Sequence, residues 1–284
     1  MAVNDELGKR MKDYYESIPK TKLTRRTPVA IRIDGKAFHT FTRGMSKPFD
    51  RILTQTMYDT TQYLCENIQG AVFGYTQSDE ITIIIIDYQK LTSSAWFDYE
   101  VQKICSVSAS MATMAFNKFF RINVEALPDN DITDDELEMY RDKYDKAMFD
   151  SRCFNIPKEE VANLIYWRQL DAQRNSIQSI GQAFFSHSQL QNKSCNEIQE
   201  MLFQEKNINW NDQPTRYKRG VAIIRELQPT DPPTLKEIDT GGPATDIVEV
   251  VRSRWIINYE MPLIKGTNRS YVEDRILYYP TENE

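Results

Sequence analysis

Two short stretches of the chain carry oxygen ligands at bends. Asp34-Gly35 closes the apolar run Val29-Ala30-Ile31-Arg32-Ile33, and Ser78-Asp79-Glu80 lies between two runs rich in β-branched residues. Carboxylates placed beside a bend suit hard divalent cations such as Mg²⁺, which in phosphate chemistry often act as pairs about 3.5–4 Å apart. Gly35 carries no side chain, so a ligand could approach the main chain next to Asp34. Lys47 and Lys103 stand near the first turns of helical patterns, where phosphates are readily bound. His39 is read equally as a structural histidine or as the lining of a nucleotide pocket. Taken singly, Asp-Gly and Ser-Asp-Glu are also ordinary turn chemistry. Their weight therefore depends on whether the fold brings them together.

The elements that would do so can be read from periodicity. Val29–Ile33 has the composition of a strand. After Lys47-Pro48-Phe49-Asp50, apolar residues at Phe49, Ile52, Leu53, Met57, Leu64 and Ile68 predict a helix that Gly70 stops. Ala71–Tyr75, a tight polar turn at Thr76-Gln77-Ser78-Asp79 and Glu80–Ile86 predict a hairpin. A second helix is predicted from Trp96 through Phe119, with a small-residue face at Ser106, Ser108, Ala109 and Ser110 for close packing. Phe149–Ile156 supplies a fourth strand, closed by Pro157. The order βαββαβ predicts an α+β fold with a ferredoxin-like antiparallel sheet backed by two helices. In that topology the first and third strands are antiparallel neighbours, so Asp34 and Asp79 meet on one sheet edge.

Further along, a helix is predicted over Glu159–Phe185, and Ser194-Cys195-Asn196-Glu197 forms a capping box that starts another. Val221–Arg225 and Ile247–Ile257 read as strands, and the Pro- and Gly-rich residues 227–245 as a loop. These features divide the chain into a main domain, 1–226, and a C-terminal extension, 227–284, across a soft boundary.

With 40% hydrophobic and 27% charged residues over 284 positions, the composition is that of a globular protein with a sizeable core. The longest apolar stretch, Ile81-Thr82-Ile83-Ile84-Ile85-Ile86, is too short to cross a bilayer, and MAVNDELGKRMKDYY has no signal-peptide core, so a cytoplasmic protein without a membrane partner is expected. Two histidines exclude a histidine-rich metal cluster, and four cysteines without close pairs argue for reduced, mostly core thiols. The net charge of −6 opposes bulk attraction to nucleic acid, leaving local basic clusters at Lys20, Lys22, Arg25, Arg26 and at Tyr217-Lys218-Arg219. The acidic run from Asp129 to Asp150 reads as a solvated helix face or loop.

Several stretches in order resemble the histidine-tRNA guanylyltransferase family and its relatives, the 3′-to-5′ RNA polymerases. They are Arg32-Ile33-Asp34-Gly35-Lys36-Ala37-Phe38-His39, Lys47-Pro48-Phe49-Asp50, Gln77-Ser78-Asp79-Glu80, Phe149-Asp150-Ser151-Arg152 and Trp167-Arg168-Gln169-Leu170-Asp171. Asn209-Trp210-Asn211 and Lys218-Arg219-Gly220 continue the likeness, which spans about residues 29–225. Where histidine-tRNA members carry His-Ile-Asn-Asn, this chain has Gln173-Arg174-Asn175-Ser176, which resembles the bacterial, archaeal and phage-type members that repair tRNA 5′ ends.

The resemblance implies a polymerase-like palm domain. It implies two Mg²⁺ ions held by Asp34, the main-chain carbonyl of Gly35 and Asp79, with Glu80 supporting the site. It assigns nucleotide binding to Asp34, Gly35, Lys36, Ala37, Phe38, His39, Lys47, Asp50, Ser78, Asp79 and Lys103, with ATP and GTP or other NTPs as substrates. tRNA is the implied partner, with Arg152, Arg168, Arg174, Lys218 and Arg219 as candidate contacts, and a homo-tetramer the implied assembly. For Arg168 and Arg174 internal salt bridges are an equal reading, and Trp167 reads as a core residue sooner than as a base-stacking platform. A palm-type nucleotide cyclase and a non-catalytic RNA-binding module stay open as alternatives, though binding alone has no need of a carboxylate pair.

Overall fold

The computed structural model describes residues 6–128, 132–229, 235–239, 245–249 and 251–277. After α1 (Glu6–Met11) come β1 (Val29–Gly35), α2 (Phe38–Phe41), α3 (Arg51–Asn67), β2 (Ala71–Gln77) and β3 (Glu80–Ile85). Next are α4 (Val101–Glu125), α5 (Asp134–Arg141), β4 (Phe149–Asn155), α6 (Lys158–Phe184), α7 (His187–Leu190), α8 (Cys195–Lys206) and α9 (Thr215–Arg219). The chain closes with β5 (Val221–Pro229), β6 (Leu235–Asp239), β7 (Thr245–Glu249), β8 (Val251–Asn258) and α10 (Ser270–Leu277).

Six strands form one antiparallel sheet in the order β4-β1-β3-β2-β5-β8. Its first four members are the predicted βαββαβ palm. β1 and β3 lie at the centre, and Val29, Ala30, Ile31, Ile33, Ile81, Ile83, Ile84 and Ile85 are fully buried. That is why both strands are almost continuously apolar: each is covered on both faces. Burying each of these Ile or Val side chains contributes about 1.5–3 kcal/mol.

Alternation sorts the two faces. Val29, Ile31 and Ile33 share a core with α3 and α4 residues such as Met57, Leu64, Ile104, Phe116 and Phe120. Ala30, Ile84 and Ile86 pack instead with Val161 and Ile165 of α6 and Val272 and Ile276 of α10. A third cluster joins the distal half of α6, through Ile177 and Ile180, to Ile198 and Leu202 of α8.

Several boundaries differ from the sequence expectations for physical reasons. α4 begins at Val101 rather than Trp96, because Phe97, Asp98 and Tyr99 hold positive φ and cannot continue a helix. Of the expected small-residue face only Ser108 is buried, where its hydroxyl meets that of Ser151 on β4 at 2.8 Å; the packed face repeats as Ile104, Ser108, Ala112, Ala115. The Ser194 capping box forms as expected. Of residues 227–245, 227–229 continue β5 and 235–239 form β6, while 230–234 and 240–244 lie outside the described residues. The strand expected over Ile247–Ile257 is two strands, β7 and β8, with Val250 outside the described residues. The position near 227 falls within β5, and β8 extends the same sheet.

Within the acidic run, Thr133 and Glu136 form a capping box that starts α5, and 129–131 lie outside the described residues. The basic leader is largely neutralised: Arg25 pairs with buried Asp87 at 2.6 Å, and both Lys22 and Arg25 pair with Asp98. All four cysteines are free; Cys65 is buried and the others are half-buried. Among the described residues no helix is long and apolar enough to cross a membrane.

Candidate active site

Asp34 and Asp79 arrive at one sheet edge by register. Asp34, next to last in β1, lies opposite Glu80 of β3 on one side and Asp150 of β4 on the other. Gln77 pairs with Glu80, so the hairpin turn contracts to Ser78-Asp79, with Ser78 at φ 51°. The Gly35 amide donates to the Asp79 carbonyl at 3.1 Å, tying the two acidic bends together.

Charge is unevenly settled there. Burial pushes the Asp34 carboxyl up, and the carboxylates of Asp79, Glu80 and Asp150 push it further, against the opposing pull of Arg152. Asp79 is also raised, by burial, although the Ser78 hydroxyl donates to it at 3.0 Å. Glu80 differs. At 6% exposure it is clamped by Arg32 at 3.0 Å and by Arg168 at 2.7 Å. No side chain among the described residues donates a hydrogen bond to Asp34. Two half-buried carboxylates in mutual repulsion, one without a donor, form an oxygen donor set suited to a hard cation. Among the described residues no cage of three or more His, Cys, Asp or Glu side chains exists. Mg²⁺ does not require one, since it is commonly held by one or two carboxylates together with substrate phosphates and water.

Beside this edge opens a cleft of about 250 Å³, walled by the Ser46–Asp50 loop, Gln77 and Ser78 of the hairpin, Asn175, Ser176 and Ser179 of α6, and Arg216 and Tyr217 of α9. Lys47 is exposed and lines it. Phe49 and Tyr217 form a parallel stack at 4.3 Å that braces the loop against α9. The cleft thus combines a cation, amide and hydroxyl groups and aromatic rings next to a pair of carboxylates, an arrangement suited to a nucleotide.

A family profile described as tRNA(His) guanylyltransferase matches residues 8–157, more than half of the chain. The chain belongs to that family. A solved bacterial tRNA(His) guanylyltransferase-like protein in complex with ATP is 42% identical, with a TM-score of 0.76, covering 95% of this chain and 98% of that one. A bacterial tRNA(His) guanylyltransferase-like protein in complex with GTP is 39% identical, with a TM-score of 0.73, covering 97% and 100%. The tRNA(His) guanylyltransferase of Saccharomyces cerevisiae is 26% identical over 212 residues, covering 70% of this chain and 82% of that protein. As a member of this family the protein is a nucleotidyltransferase on a palm fold, which sets aside the cyclase and the non-catalytic module.

The expected site residues separate into those that share the edge and those that do not. Asp34, Gly35, Ser78 and Asp79 share the edge, Lys47 lines the neighbouring cleft with Ser78, and Lys36, Ala37 and His39 are exposed immediately after β1. Phe38 turns inward, packing on Phe41, Phe116 and Phe149. Its ring occupies the space beside Gly35, where a Cβ would lie 2.3 Å from the Phe38 ring. Gly35 is thus dictated by a packed ring as well as by any ligand. Gly35→Ala should cost about 1–3 kcal/mol through overpacking, read as a shift in the urea midpoint at unchanged slope.

Asp50 lines the cleft but its carboxylate is engaged: it caps α3 through Leu53 N at 2.8 Å and accepts from Ser46 N at 3.0 Å and Tyr140 at 2.5 Å. Lys103 lies at the far end of the sheet. Thr113 bonds the Phe149 amide level with Gly35, whereas Cys105 meets Cys153 toward Val29. Lys103, ten residues before Thr113, is therefore about 15 Å from the acidic edge along α4. Lys103 thus stands apart from the Asp34–Asp79 edge of its own chain.

Among the cations expected at RNA, Arg168 is 5% exposed and held by Glu80, so it is an internal ion-pair partner. Arg174 is exposed and pairs with Asp171 at 2.5 Å; Arg152 is exposed and pairs with Asp150 at 3.2 Å. Lys218 donates to the Asn211 carbonyl at 2.5 Å, and the Arg219 carbonyl accepts from Tyr75 at 2.7 Å; both residues belong to helix α9. Trp167, read as core, is 50% exposed. Arg32, to which no role was assigned, is a site residue through Glu80; an arginine inside an otherwise apolar strand signalled a buried partner.

Proposed function

We propose that this protein adds nucleotides to the 5′ end of tRNA in the 3′-to-5′ direction, guided by a template base, with two Mg²⁺ ions held by Asp34, the Gly35 carbonyl and Asp79. The observation that carries this reading is the meeting of Asp34 and Asp79 at one sheet edge beside a cleft that holds Lys47. Relatives solved with ATP and with GTP support the choice of nucleotides. Bound there, the cations would activate the attacking hydroxyl and neutralise charge on the leaving phosphate.

The reaction falls into two stages. ATP activates a 5′-monophosphate with release of pyrophosphate, and the 3′-hydroxyl of an incoming NTP then attacks the activated phosphate. An RNA already bearing a 5′-triphosphate enters at the second stage. What the chain supplies is position and charge. Lys47 faces the phosphates as a point charge, Gln77, Asn175 and Ser176 offer hydrogen bonds to the nucleoside, and the ion-paired Glu80 holds the Ser78-Asp79 turn in place. Template guidance accords with Gln173-Arg174-Asn175-Ser176, the stretch that departs from the histidine-tRNA members. The same reading makes the enzyme a cytoplasmic homo-tetramer, to be checked by light scattering as four times the chain mass.

The deciding experiment incubates the protein with Mg²⁺, labelled NTPs and a tRNA lacking its first nucleotide, and maps the end that grows. Growth at the 5′ end, with the nucleotide opposite the template base preferred, is expected. Growth at the 3′ end, or a cyclic nucleotide product, would overturn the reading.

A further inference from the structure

A large aromatic ring stands half exposed beside the arginines that grip the acidic edge. Trp167 is 50% exposed, yet it sits on α6 next to Arg168, one of the most buried charges in the molecule. The Arg168 guanidinium lies 3.5 Å from the centre of the Trp167 ring, and that of Arg32 lies 5.2 Å away. Both arginines also grip Glu80, the residue after Asp79, and Arg32 is two residues before Asp34 on the same face of β1. The ring is therefore fixed by the same ion pairs that fix the carboxylate edge, and half of it remains open to solvent.

We infer that Trp167 is a stacking platform for the terminal nucleobase of the RNA end being extended. The inference rests on the proposed function. An RNA end has one base face that has lost its stacking neighbour, and an exposed indole restores that contact whatever the base. Arg32 and Arg168 beside the ring add cation–π attraction, and the exposed Arg152 and Arg174, each held by one aspartate, are donors that a phosphate backbone could recruit. The other prominent ring pair near the site, Phe49 and Tyr217, is stacked on itself, whereas Trp167 has no aromatic partner among the described residues. Trp167 would thus set the height of the RNA end relative to Asp34, which makes it a substrate-positioning residue.

The test compares wild type with Trp167→Phe and Trp167→Leu in single-nucleotide addition, varying RNA and NTP separately. Trp167→Leu keeps an apolar side chain but no ring. Its KM for RNA is expected to rise about tenfold or more, with the KM for NTP unchanged, while Trp167→Phe stays within about threefold of wild type. RNA should quench a tryptophan emission component that Trp167→Phe lacks, and it should do so equally in Asp34→Asn, which is catalytically impaired. A wild-type KM for RNA in Trp167→Leu, or a KM rise confined to NTP, overturns the platform while leaving 5′ addition standing. Absence of 5′ addition by wild type overturns both.

Discussion

Asp34→Asn is expected to lower nucleotide addition by about 10³-fold while raising the melting temperature of the cation-free protein, and Asp79→Asn should behave alike. The two effects share a cause. Removing a group that neutralises charge in the transition state commonly costs 10²–10³-fold or more, and a carboxylate serving two cations belongs at the upper end. Without cations the same carboxylate is a liability. Asp34 is half-buried, accepts no side-chain hydrogen bond among the described residues, and faces Asp79, Glu80 and Asp150.

The pH dependence follows from the direction of the shift. The Asp34 carboxyl is raised above its ordinary value of 3.8, so the folded protein holds the proton more tightly than the unfolded chain. Stability therefore falls as pH climbs from 3.8 to the raised folded value, and the cost is fully present above it. The melting temperatures of wild type and Asp34→Asn should coincide at low pH and separate as pH rises, with the variant higher. Added Mg²⁺ should close the gap by stabilising wild type alone. A variant that adds nucleotides at the wild-type rate would remove Asp34 from the site, and one that melts lower at neutral pH would show that its charge is compensated after all.

Glu80→Gln is expected to have the largest effect on stability, a loss of about 3–5 kcal/mol. Glu80 is 6% exposed and neutralises Arg168, itself 5% exposed, and Arg32. Deleting its charge leaves two guanidinium groups in a poorly solvated space, with only the longer Arg168–Asp171 contact of 3.4 Å to offset them. Such pairs add little over apolar packing, but breaking one strands the survivor. Urea unfolding should show the loss as a lower midpoint at constant slope. Replacing Glu80 and Arg168 together, as Glu80→Gln with Arg168→Met, should be less damaging than the sum of the single changes. A loss under about 1 kcal/mol for Glu80→Gln would mean that the network is solvated and that the Ser78-Asp79 turn stands without it.

Sequence and structure divide the work unevenly. Apolar runs at β1 and β3, the hairpin between β2 and β3, the cap of α8 and the long amphipathic α6 are properties of neighbours in the chain, and they were legible because local sterics and periodicity specify them. From the order of those elements alone the convergence of Asp34 with Asp79 could be deduced, since an antiparallel βαββαβ sheet admits few topologies. The sequence by itself therefore determined the palm, its acidic edge and the family.

What tertiary structure alone decided is how each charged or aromatic side chain is employed. Arg168 has the composition of an RNA contact and is consumed by Glu80, 88 residues away. Asp50 looks like a ligand and is spent on α3 and Tyr140. Lys103 lies on an expected helix but at the end of it remote from the acidic edge, and Trp167 looks like core and is exposed. A side chain's partner is chosen by distances between segments remote in sequence, and no local pattern encodes those distances. Burial and ion pairing, which settle whether a group is free to meet a substrate, come into being only when the layers pack.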